Sequence, residues 1–169
     1  MNDGCYAETL VKRKMTTGAI LGMIGMTLFA TAGLFLTFLN RFGVFVLVAA
    51  AIVIFIFYRF LRVEYEYIFV TGELQVDRIY SGSVRKAGPR IDVTNVERVE
   101  KVTDEALKEL KSRPKTELLD YTSHIGTPEI YVIRYHDNAG SKFLLFEPDE
   151  KLLKTMWRTA PSKVKISRE

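Results

Sequence analysis

Between Met15 and Tyr58 the chain carries one charged side chain, Arg41. The runs on either side of it, Met15 to Asn40 and Phe42 to Tyr58, are uncharged and dominated by Leu, Ile, Val, Phe, Ala and Gly. A charge at the bilayer centre costs at least about 2.5 kcal/mol, and about 20 apolar residues make a helix that crosses the hydrocarbon layer. Two membrane-spanning helices, at about 17–39 and 42–61, are therefore predicted, with Asn40-Arg41-Phe42-Gly43 as the turn. The first span would measure about 34 Å at 1.5 Å per residue. The second is shorter, and Arg59 can snorkel to the interface at its end.

Basic residues set the orientation. Lys12, Arg13 and Lys14 precede the first span, Arg59 and Arg62 close the second, and the turn holds Arg41 alone. The Lys/Arg excess favours the cytoplasmic side, so a multi-pass protein of the cell membrane is expected, with both termini cytoplasmic. Residues 1–14 then read as a cytoplasmic N-terminal segment whose basic end is topogenic. Gly18, Gly22 and Gly25 share one helical face, and Ala49, Ala50 and Ala51 offer a small-residue surface on the second span. These residues suit packing within the hairpin; the Gly18-x-x-x-Gly22 pair also suits homo-oligomerisation through the helices.

The net charge of +4 points away from nucleic acid once it is located. Residues 1–62 contain six Lys/Arg and two acids, so the remaining 107 residues contain eighteen of each. The excess lies beside the membrane and does not form a basic binding face. Cys5 stands alone, which excludes an intramolecular disulfide and a thiol cluster.

After Arg62 the period changes from helix to strand. Val63, Tyr65, Tyr67 and Phe69 alternate with Glu64 and Glu66, and Thr71-Gly72 ends the run. Leu74, Val76 and Tyr80 suggest a second strand, Ser83 to Ala87 a short third before Gly88-Pro89, and Ile91 to Val102 a connection followed by another strand. Thr103 can cap a short polar helix with Asp104 and Glu105 in its first turn, Lys108 and Lys111 in its last and Pro114 beyond. Lys115 to Glu129 reads as a loop. Strands at Ile130–His136 and Ser141–Phe146 flank the turn-forming Asp137-Asn138-Ala139-Gly140. Pro148-Asp149-Glu150 opens a last helix whose apolar face is Leu152, Leu153, Met156 and Trp157, and Pro161 stops it.

The segments Tyr67-Ile-Phe-Val-Thr-Gly-Glu-Leu and Arg90-Ile-Asp-Val-Thr-Asn-Val-Glu-Arg-Val, with the closing helix, resemble the bacterial pleckstrin-homology-like domains of small two-helix membrane proteins, a family of unknown function. The resemblance implies an α+β domain over 63–161: a half-open antiparallel β-barrel or strongly bent sheet with a C-terminal capping helix, followed by a basic tail at 162–169. It supplies no catalytic residue and no cofactor.

The residues themselves support the same non-enzymatic expectation. His124 and His136 are the two histidines, too few and too far apart in sequence for a metal site, and no Gly-rich phosphate loop or Cys-His pairing occurs. Two functions follow. One is a membrane-anchored interaction or scaffold module whose partner is another protein. The other is a sensor of anionic lipid headgroups through Arg85, Lys86 and Arg90, each cation contributing about 1 kcal/mol near a charged surface. Asp77, Asp92 and Glu97 nearby favour a solvated, charge-protected strand edge instead.

Overall fold

In the computed structural model, residues 6–114, 116–124, 129–138 and 140–165 are described; Cys5 and the end of the basic tail lie outside them. Two long helices come first after an opening strand. Helix α1 (Thr17–Leu39) and helix α2 (Gly43–Leu61) run antiparallel, and their seam is set by small residues. A Cβ on Gly33 would sit 3.3 Å from Val46 Cγ1, one on Gly22 would lie 3.4 Å from the Phe57 ring, and Ala50 is buried. Gly18 and Gly25 have nothing within 4 Å of such a Cβ, and Ala49 is exposed. The turn demands glycine at Gly43, where a Cβ would lie 2.3 Å from the Thr37 nitrogen.

The opening strand is the main departure from the sequence reading. Tyr6–Lys12 is not a free polar segment but strand β1, paired antiparallel along all seven residues with β2 (Val63–Val70), from Tyr6 opposite Val70 to Lys12 opposite Glu64. The globular unit therefore starts before the helices, and α1 and α2 are inserted between its first two strands. The Arg13 amide extends the ladder to the Val63 carbonyl (2.9 Å), and the Lys14 amide donates to the Ser123 carbonyl (2.7 Å).

β3 (Glu73–Tyr80) pairs with β2, and both β4 (Val84–Lys86) and β5 (Arg90–Asp92) pair with β3, giving a five-stranded sheet. A 3-10 turn at Val93–Asn95, capped by Asp92, leads to the second sheet. That sheet has the order β6 (Val96–Lys101), β8 (Tyr131–Asp137), β9 (Gly140–Phe146), β7 (Leu118–Asp120). β7 falls within the stretch read as loop, and it pairs parallel to β9, so the sheets are not wholly antiparallel. A three-residue strand has no measurable alternation, which is why the pattern misses it. The two sheets do not close into a barrel.

Helix α3 (Asp104–Lys111) forms as its capping residue requires, with the Thr103 hydroxyl accepting from the Ala106 amide. Helix α4 (Glu150–Thr159) is capped by Asp149, whose carboxylate accepts from the Leu152 amide at 2.7 Å. Its Leu152, Leu153 and Met156 enter one core with Ala7, Tyr65, Tyr67, Phe69, Leu74, Val76, Ile133, Leu144 and Phe146. Tyr67 and Phe146 meet edge to face with centroids 5.8 Å apart, and the Tyr67 hydroxyl satisfies itself by donating to the Tyr121 carbonyl. Trp157 is a correction: it is 39% exposed, at the rim of the helix face and not in the core.

Candidate interaction site

The three cations singled out as a lipid-facing group do not form one cluster. Arg85 and Lys86 lie on β4 opposite Ile79 and Arg78, whereas Arg90 opens β5 opposite Gln75. Four strand positions separate Ile79 from Gln75, about 13 Å along β3. The Gly88-Pro89 link between them is pressed onto β3 and does not protrude: the Val76 amide donates to the Pro89 carbonyl (3.1 Å), and a Cβ on Gly88 would collide with the Val76 carbonyl oxygen at 2.0 Å. Arg90 borders a cleft of about 410 Å³ lined also by Asn95, Tyr135, His136 and Asn138. Lys86 and Arg85 border another of about 580 Å³ with Tyr80, Val84 and Arg59, where α2 meets the sheet.

Arg85 is committed to acids. Its guanidinium lies 2.6 Å from a Glu66 oxygen and 3.7 Å from Asp77. Glu66 and Asp77 face each other across β2 and β3, on the side of the sheet turned away from the core. Glu66 points outward yet is 6% exposed, with the Arg85 guanidinium lying against it. This burial raises its carboxyl above the ordinary range, against the lowering effect of Arg85; the nearby charges of Glu8 and Asp77 raise it further. The folded chain thus holds this proton more tightly than the unfolded chain. Stability contributed by Glu66 is greatest at low pH and falls as pH rises from the normal glutamate range through the raised value. Thermal melts of the full chain in detergent should show that decline, and Glu66→Gln should flatten it. An unchanged slope in the variant would assign the decline to other groups.

The sequence reading places Asp77 near the basic residues and Glu66 on an outward strand face, but it does not bring Glu8, Glu66 and Asp77 together, since their proximity depends on the pairing of β1 with β2 and of β2 with β3. The signal available was the alternation of Glu64 and Glu66 with aromatics, which does mark an outward face. The histidines lie apart: His136 pairs with Glu97, and His124 sits 3.6 Å from Asp120. Among the described residues no group of His, Cys, Asp or Glu is arranged to hold a metal ion.

Residues 2–166 match the family described as a bacterial PH-like domain (DUF6106). The chain belongs to this bacterial PH-like family. The match runs through β1 and both long helices as well as the sheets, so the inserted helices are part of the family's unit and not an appendage. No curated protein and no solved structure matches the chain. Within the PH-like unit, the outward side of the five-stranded sheet and the two clefts are surfaces open to a partner.

Proposed function

We propose that this PH-like protein is a membrane-anchored, non-catalytic interaction module, mounted on the cytoplasmic face of the cell membrane by a two-helix hairpin. The observation that carries the reading is the pairing of β1 with β2 on either side of the helices. Strands cannot pair across a bilayer, so the chain that leaves after Lys12 must return at Val63 on the same side. Both helices are apolar around their circumference: Leu28, Phe35, Phe38 and Phe55 are 66%, 69%, 84% and 67% exposed. Such surface suits lipid and not water. α1 has the length and apolar composition for a crossing. Arg62 lies over the Tyr58 ring at 4.7 Å, an arrangement suited to the interface. The short links at both ends leave the domain little freedom to tumble, so it presents a fixed face to neighbours.

The alternative, an anionic-lipid sensor, draws support from the cleft shared by Arg59 and Lys86. It is weakened by the commitment of Arg85 to Glu66 and by the distance to Arg90.

Topology is testable in whole cells. In a Cys5→Ser background, Asn40→Cys should react with an impermeant thiol reagent from outside, whereas Glu105→Cys on α3 should react after lysis and not before. External labelling at Glu105→Cys, or none at Asn40→Cys, would remove the proposed mounting.

A further inference from the structure

Among the described residues, the apolar side chains of α3 and α4 pack elsewhere than on the outward side of the five-stranded sheet. Residues buried by α4 join the core on the opposite side, and Leu107 and Leu110 of α3 pack with the second sheet. Strand register places Glu8, Glu64, Glu66, Glu73, Asp77 and Asp92 on the outward side, against Lys12, Arg85 and Arg90. Six acids thus face three cations of the sheet, with Lys163 beside Asp92 as a fourth, so the face keeps a negative excess. Lys12 lies 3.9 Å from Glu64, and Arg85 is shared by Glu66 and Asp77. Glu8 and Glu73 are met by neutral donors, the Tyr6 hydroxyl and the Gln75 amide.

An apolar stripe crosses the same surface. Tyr6 stands opposite Val70, and these two and Leu10 are 45%, 37% and 48% exposed, with Ile68 between them opposite Glu8. Carboxylates and exposed apolar groups side by side match a partner that brings cations and an apolar edge together. The Lys12–Glu64 end of this face adjoins the start of α1 and the end of α2, so on the mounting described above the surface rises directly from the bilayer. Cytoplasmic segments of membrane proteins next to their spans are enriched in Lys and Arg.

We propose that this face docks a Lys/Arg-rich amphipathic segment of a neighbouring membrane protein. Its apolar residues cover Tyr6, Leu10, Ile68 and Val70, and its cations meet Glu8 and Glu73. Anionic lipid headgroups have the wrong sign for this surface. The proposal rests on the membrane mounting of the preceding section for the identity of its partner, not for the existence of the surface.

The test uses the full chain in zwitterionic detergent and a fluorescein-labelled amphipathic helical peptide of leucine and lysine, read by anisotropy against empty micelles. Saturable binding that weakens with added salt is expected. Glu8→Lys with Glu73→Lys should weaken it about tenfold or more, since like charges then face each other. Glu105→Lys with Glu109→Lys changes the net charge equally but on α3, and should leave the affinity unchanged. Leu10→Ser should weaken binding at unchanged charge. Equal losses in the two lysine variants, equal affinity for a leucine-glutamate peptide, or no signal above empty micelles would each overturn the docking face. Because this readout is independent of thiol labelling, failure here with Asn40→Cys accessible from outside would leave the mounting intact.

Discussion

A chain beginning at Val63 is expected not to fold cooperatively, whereas one in which Lys14–Arg62 is replaced by Asn-Gly should fold and remain in solution. The difference lies in β1. It supplies seven residues of ladder to β2 and covers a core in which Ala7, Tyr67 and Phe69 are 0% exposed. Removing it opens that core to water at a cost of about 25 cal/mol per Å² of apolar surface, and an ordinary domain is stable by only about 5–15 kcal/mol. The replacement retains β1 and closes it onto β2 at the Arg13–Val63 pair. Asn-Gly there provides the positive φ angles that a two-residue hairpin needs. Circular dichroism melts of the two proteins decide the matter. A cooperative transition at the same temperature in both would mean that β1 is dispensable and the globular unit does begin at Val63.

That boundary was hard to read for a physical reason. In Tyr6–Lys12 the inward positions are Ala7, Thr9 and Val11, and the outward ones include Tyr6 and Leu10, so the larger apolar groups point away from the core. Alternation is the primary strand signal, and here its sign is inverted. By contrast, β2 was legible because Tyr65, Tyr67 and Phe69 face inward against Glu64 and Glu66 outward. Capping chemistry was equally legible: Thr103 and Asp149 each cap the helix that follows. The apolar runs of the two long helices and the glycine-containing turn also follow from composition alone. The acidic face did not, since Glu8 and Asp77 are 69 positions apart and meet Glu66 through strand pairing. The feature that hid β1, its outward Tyr6 and Leu10, is also what gives the proposed docking face its apolar stripe.

Helix α4 separates packing from mere proximity in sequence, and its largest expected effect is at Leu152. At about 100° per residue, Leu152 and Met156 form the centre of the buried arc, and Trp157 stands about 100° from Met156. Exposure follows that order: Leu152 0%, Met156 2%, Leu153 7%, Trp157 39%. Leu152→Ala should therefore cost about 2–5 kcal/mol, because it removes buried methyl groups and leaves a cavity beneath the sheet. Trp157→Ala should cost less, about 1–2 kcal/mol, since much of the indole already meets solvent. Thermal or denaturant unfolding of the protein carrying Asn-Gly in place of Lys14–Arg62 gives both values on one scale. A larger loss at Trp157 than at Leu152 would show that the indole, and not the leucine row, fastens α4 to the sheet. With the leucine row as the fastening, the helix holds Ala7 of β1 as well as β2 and so links the start of the chain to its end. Loosening α4 should then expose the β1 amides to hydrogen exchange earlier than those of β8, which lies in the other sheet.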